Sequence, residues 1–421
     1  MSRRMFWRTR APAAVGVLAA LALSACYAGV TPRTPPVALD QWWTHPPRPR
    51  LPASADTNDA AAYIQWANTV IAHTPDSAAA AFYWASRLDP WRADAYYGRS
   101  VALLLTCAAH PEITYYDAPS LPTRRLRPDR QQVIDSLDAL SMERDPFLLR
   151  YLDPLVTGSP PAFVVQRMRD PADRGYWAFA HGANDSAVAL LGQAVRKHPE
   201  RAPLHALRGI AFYRLEMFDS TVAELRTLID TLAGRERRKL TLVYRPKAMA
   251  YYAIGLAHVQ RGDTVQARLA LEQAVVEDMS FYMAHVRLAG VALQRRDTAA
   301  AAEELARALQ VRGDDPVLRH FEGTLLIGLG RTAEGVEELE RAMKLDPDFA
   351  QPYHWMGRLY DASQDTVRAI EAYDAFLARA TRDEPLRPWT TARRAALAAA
   401  LAAMADTTQV AARTAESRPP E

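Results

Sequence analysis

At 421 residues, 49% of them hydrophobic, the chain has apolar content for two or three ordinary domains or one long solenoid. Basic and acidic residues nearly balance, 51 against 48, which excludes the broad positive field of a nucleic-acid binder. The only cysteines are Cys26 and Cys107, too few for a disulfide framework.

Residues 1–25 read as an export leader rather than as part of the fold. Arg3, Arg4, Arg8 and Arg10 precede an apolar run over residues 11–23, shorter than the roughly 20 residues that a stable membrane-spanning helix needs. Leu23-Ser24-Ala25-Cys26 closes the run. It resembles the bacterial lipobox, whose cysteine becomes lipidated and N-terminal after cleavage. The resemblance implies lipidation at Cys26 and membrane attachment through that lipid. Tyr27 then stands second, where similar enterobacterial lipoproteins retained at the inner membrane carry aspartate, and this points to the outer membrane, facing the periplasm. The start with Arg3 and Arg4 also resembles a twin-arginine signal, and a plain basic leader is the other reading. The leader takes its four arginines with it, so the mature chain is close to neutral and no nucleic-acid partner is expected.

Residues 26–58 hold seven prolines and few apolar side chains. They are expected to form a disordered tether, reaching on the order of 100 Å in polyproline form. Trp42 and Trp43 interrupt it, either docking on the body or sitting at the lipid interface. Residues 60–72, 76–88 and 91–109 read as helices, the last with Cys107 as a core thiol. A proline-rich loop over residues 110–130 follows, and residues 131–140 and 147–155 resume as helices up to Ser159-Pro160-Pro161. Residues 59–158 are thus expected to be a divergent helical region of the same superhelix as the array after it.

Over residues 159–383 one unit recurs. Gly175 and Gly209 stand 34 residues apart; after a step of 46, Gly255, Ala289, Gly323 and Gly357 keep the step of 34. Ala267, Ala301, Gly335 and Ala369 form a second row, and Leu271, Leu305, Leu339 and Tyr373 a third. Small residues at two fixed places with large apolar ones between predict a helical hairpin stacked on copies of itself, the small residues marking close helix crossings. Asp185-Ser186, Asp219-Ser220, Asp263-Thr264, Asp297-Thr298 and Asp365-Thr366 precede the second helices as caps, while Arg331-Thr332 departs. In the first two units the Asp lies 10 residues past the Gly, against 8 later, so a difference in helix length or register is expected there. The extra residues fall within 230–247, as a longer second helix or a loop. The Arg235, Arg237, Arg238 and Lys239 cluster there suits either solvent or an anionic partner. Residues 384–404 are expected to cap the array and residues 405–421 to form a disordered tail. The pattern resembles the tetratricopeptide repeat. That resemblance implies an all-α, right-handed superhelix of about six hairpins that binds other molecules.

No HExxH, CxxC, GxSxG or GxxxxGK[ST] motif occurs, so no catalytic residue, metal or cofactor is expected. His205 and His285, each at the fourth position of its unit, read as packing residues. In the family it resembles, the first helix of each hairpin lines a concave groove. Carried over, those positions are Tyr213, Arg214, Tyr252, Gln260, His320, Thr324, His354, Arg358 and Asp361. The lysine and asparagine pairs that clamp a carboxylate in chaperone-binding members are absent there. The expected function is a non-catalytic, membrane-anchored scaffold or adaptor gripping a protein partner. The alternative is a glycan- or nutrient-binding lipoprotein similar to the SusD type, stacking sugars on Trp84, Trp91, Tyr96, Tyr97, Tyr115 and Tyr116.

Overall fold

A computed structural model of the chain describes residues 45–416, apart from residues 110–114, 117–124, 127, 149, 151, 153–168 and 240–243. The leader, Cys26, Trp42, Trp43 and most of the expected tether lie outside the described residues. Four helices form an N-terminal block: α1 (Ala60–Val70), α2 (Pro75–Leu88), α3 (Ala93–Ala109) and α4 (Pro128–Arg144). Twelve more pair into hairpins: α5 (Pro171–Ala180) with α6 (Asn184–Lys197), α7 (Ala202–Arg214) with α8 (Phe218–Lys239), and α9 (Tyr244–Gln260) with α10 (Thr264–Glu277). The series continues with α11 (Tyr282–Gln294) and α12 (Thr298–Val311), α13 (Pro316–Gly328) and α14 (Thr332–Leu345), and α15 (Gln351–Ala362) and α16 (Thr366–Arg379), before the final α17 (Arg387–Glu416). The result is an all-α helical-hairpin solenoid. A two-residue antiparallel pair, β1 (Tyr115–Tyr116) with β2 (Arg125–Leu126), lies in the loop between α3 and α4.

Every hairpin turns at one residue in the left-handed region: Gly182, Glu216, Gly262, Arg296, Gly330 and Gln364. The next residue returns its N–H to the carbonyl five back, as Asp263 does to His258 at 3.0 Å and Asp365 to Tyr360 at 2.9 Å, which closes the first helix. Glycine adopts this backbone freely, whereas Glu216, Arg296 and Gln364 hold it at a cost of about 1 kcal/mol each. The turn falls at the same distance after Gly175, Gly209 and Gly255 as in the later units, so the register is common to all six. Asp185 and Asp219 therefore sit in the first turn of their helices instead of capping them, beside the positive end of the helix dipole. Asp263, Asp297 and Asp365 are the caps, accepting from the N–H of Gln266, Ala300 and Arg368 at 3.0, 3.0 and 3.2 Å. Arg331 offers no side-chain cap.

The rows of small residues mark the crossings. Gly255 faces Leu271, Gly323 faces Leu339 and Gly357 faces Tyr373 across their hairpins. A Cβ at Gly335 would lie 2.6 Å from the Gly323 carbonyl oxygen, a backbone atom that moves only if the helices part. Gly335→Ala is therefore expected to cost about 1–3 kcal/mol, despite the better helix propensity of alanine. Urea unfolding checks this, and a midpoint equal to or above wild type would refute the close crossing.

Of the two readings of the extra residues, the longer second helix is the one seen: α8 has 22 residues, α9 after it has 17, and Lys247 ties them down through Glu236 at 3.0 Å and Glu277 at 2.7 Å. Other expectations change. The Ala-rich stretch past residue 404 continues α17 as far as Glu416, in keeping with the high helix propensity of alanine. Phe147 and Leu148 follow α4 in a turn, where Asp145 Oδ1 accepts the Phe147 N–H at 2.8 Å, and are not helical. Residues 45–58 lie on the body. Pro46 is buried and its carbonyl accepts from Trp84 Nε1 at 3.0 Å, while the Arg48 guanidinium lies over the rings of Tyr63 and Trp84 at 5.6 and 5.0 Å. No helix among the described residues is long and apolar enough to cross a membrane.

The N-terminal block has its own core, centred on Tyr63, Phe82, Tyr97 and Leu103. It is also tied to hairpins far along the chain. Asn58 Nδ2 donates to the Ala378 carbonyl at 2.8 Å, and the Arg382 N–H donates to Asp56 Oδ2 at 2.6 Å. Arg87 pairs with Asp346 at 2.9 Å. Trp91 meets Phe321 edge-on, ring centres 5.9 Å apart. Arg144 forms a buried ion pair with Asp315. Phe147 stacks on Tyr213 with ring centres 3.5 Å apart. The block thus runs from the last hairpin back to the second.

Candidate binding groove

The nine residues carried over to the groove do not form one open surface, because the chain covers both ends of it. Near the start, Tyr213 lies beneath Phe147, and Arg214 donates to the carbonyls of Phe147 and Leu148 at 3.0 and 2.7 Å with its guanidinium over the Phe179 ring. Burial pushes the Arg214 pKa down to about 10. Tyr252 is fully buried against Phe281 and accepts a hydrogen bond from Arg287 Nε at 3.3 Å. At the far end α17 is the cover. His354 is 3% exposed, within 3.0 Å of Thr390 Oγ1 and edge-on to Trp389, and Asp361 is held by both arms of Arg393 at 2.7 Å. His320 is 6% exposed, edge-on to Phe349. Thr324 is half-buried and donates to the Phe321 carbonyl at 2.9 Å. Gln260 and Arg358 remain exposed.

Between the covered ends a cleft of about 440 Å³ stays open where the N-terminal block meets α7, α9 and α11. Trp91, Phe147, Tyr213 and Leu256 give it apolar walls, and Arg144 and Arg287 supply guanidinium groups. The Arg144 guanidinium lies 4.3 Å from the Trp91 ring centre. Arg92 spends its charge on Asp94, at 3.0 and 2.6 Å. Gly290 of α11 and Gly328 of α13 are exposed, and an added Cβ at either would meet nothing within 4 Å.

A family profile described as the tetratricopeptide repeat matches residues 318–349, the unit formed by α13 and α14. That unit resembles a tetratricopeptide repeat, and it is one of the six helical hairpins that share a register. No curated protein matches the chain. Among solved structures it is similar to YrrB, described as a TPR protein with an unusual peptide-binding site, at 17% identity and a TM-score of 0.38, covering 48% of this chain and 97% of that one. MamA from Desulfovibrio magneticus matches at 18% identity and a TM-score of 0.36, over 42% of this chain and 93% of that one. The C-terminal part of a TPR repeat-containing protein from Cytophaga hutchinsonii matches at 12% identity and a TM-score of 0.33, over 49% and 94%.

Within the hairpins the fourth position carries a recurring polar pair. His205 Nδ1 meets Glu224 at 2.6 Å, His285 Nδ1 meets Glu304 at 2.7 Å, and Arg319 bonds Glu338 at 2.6 Å. These join the two helices of one unit. No cluster of three or more metal-ligating side chains occurs among the described residues. The aromatic residues considered for sugar stacking point elsewhere: Tyr97 is fully buried, Trp84 donates to Pro46 and the Tyr96 hydroxyl to the Pro90 carbonyl. Only Trp91 among them borders the cleft, and the side chains of Tyr115 and Tyr116 lie outside the described residues. Arg144, Phe147 and Arg287 escaped the repeat pattern, since two of them belong to the non-repeating block and Arg287 lies off the family's groove positions.

Proposed function

We propose that the chain is a non-catalytic tetratricopeptide scaffold, anchored through a lipid on Cys26 at the outer membrane and facing the periplasm, that holds a protein partner there. The observation that carries this reading is the open cleft at the junction of the N-terminal block and the array, with rings and guanidinium groups on its walls. The lipobox-like Leu23-Ser24-Ala25-Cys26 supports the anchor. Neither a cofactor nor nucleic acid enters this reading. Photoreactive groups at Gln260 and Arg358, both exposed, are expected to attach one dominant envelope protein at Gln260, identified by mass spectrometry in the cells of origin; empty cross-links at both would refute a partner in the groove. Cys26→Ala is expected to abolish incorporation of labelled palmitate and to release the chain from the membrane fraction. Retained label would locate the anchor elsewhere.

A further inference from the structure

We infer that the cleft takes an acidic peptide segment, with an Asp or Glu carboxylate on Arg287 and Arg144 and a neighbouring aromatic or aliphatic side chain against Trp91. This rests on the scaffold reading and names what the partner presents. Charge is the first argument. Arg92 and Arg144 each have a carboxylate of their own, in Asp94 and Asp315. Arg287 has no ion pair among the described residues and only the Tyr252 hydroxyl as a hydrogen-bond partner, while Arg214 is occupied by backbone carbonyls. Asp145 stands near Arg214 and Arg287, and Asp89 near Arg92 and Arg144, so it is Arg287 that has room for a carboxylate of its own.

Unused donors are the second. Arg144 is 4% exposed and borders the cleft, yet its Nε and Nη1 have no hydrogen-bond partner while Nη2 holds Asp315. Donors already withdrawn from water gain most from an arriving carboxylate. Shape is the third. Gly290 follows Arg287 by three residues on one helical face, and a Cβ there would meet nothing within 4 Å, so a lane of open space lies beside Arg287. An extended chain can leave along that lane.

The test uses a cellulose array of random decapeptides probed with the full chain. Retained peptides should be enriched in Asp or Glu beside Phe, Tyr or Leu. In fluorescence anisotropy, changing that acid to its amide should weaken binding at least tenfold. Arg287→Gln should weaken it equally, and Arg287→Lys should retain most of it. Gly290→Trp, which has room to fold, should block the lane and binding with it. Peptides retained without acidic preference, or by Arg287→Gln at wild-type affinity, would overturn the inference and leave the scaffold reading standing. If no peptide is retained, the inference falls, and the scaffold reading is decided separately by the cross-links at Gln260 and Arg358.

Discussion

Between pH 7 and pH 5, His320 and His354 are expected to remove about 4 kcal/mol of stability from the folded chain. Burial pushes each down to about 4 from the usual 6.5, helped for His320 by the proximity of His354 and for His354 by Arg358. The unfolded chain takes a proton on each imidazole near its usual value, while the folded chain refuses it until about 4. Their stabilising effect is therefore complete above pH 6.5 and drains away as the pH falls toward 4. At pH 5 the loss is about 2 kcal/mol for each. The surroundings explain the refusal, since His320 faces Phe321 and Phe349, and His354 faces Phe376, Tyr373 and Trp389. Other groups pull the opposite way. His205 is raised by Glu224, and burial raises Asp145 and Glu322, so all three favour the folded state as acid is added. The measurement is for that reason a difference. A His320→Phe, His354→Phe double variant, unfolded in urea at both pH values, should lose about 4 kcal/mol less than wild type over the interval. Equal losses would assign the acid sensitivity to other groups.

Arg144→Met is expected to destabilise the chain by about 3–5 kcal/mol. Arg144 and Asp315 are each 4% exposed, and Asp315 has two tasks. One oxygen takes the guanidinium of Arg144; the other accepts the N–H groups of Val317 and Leu318 at 2.9 and 3.2 Å and so begins α13. Removing Arg144 strands that carboxylate in the interior. Adding Asp315→Asn keeps the cap and deletes the stranded charge, so the double variant should recover most of the loss. Trp91 reports on the same event, because it lies under Arg144 and against Phe321. Its emission should shift to the red in the single variant as the block lifts away. A wild-type urea midpoint in Arg144→Met would show that the block is held by its rings rather than by the ion pair.

The hairpins were legible because a stacked unit must solve the same packing problem at each step, so Gly323, Leu339 and their counterparts recur at a fixed interval. Contacts made once leave no such trace. Arg48 between Tyr63 and Trp84 looks like part of a proline-rich tether, since composition averages over a stretch and misses one cation between two rings. The positions of Tyr252 and His354 on the first helices could be read from the repeat, but their covering by Phe281 and α17 could not. The spacing of Asp219 misled about capping because Glu216 gives no residue-type signal for the left-handed turn that fixes where the second helix starts, whereas Gly182 marked that turn for Asp185.

The Arg382 N–H donating to Asp56, and Asn58 donating to the carbonyls of Ala378 and Ala380, bear on how the molecule is made. An ordinary solenoid has low contact order: each repeat rests on its neighbour, and either end can fray alone. Here the coil is tied end to end, so peeling off the last hairpin also strips contacts from Asp56 and Asn58. On synthesis the early helices must hold Arg144 without its carboxylate until residues more than 170 positions later arrive, because Asp315 lies 171 residues beyond Arg144. A chain stopped short of its last hairpins therefore carries an N-terminal block with nothing to close against, and its earliest segment is the one left uncovered longest.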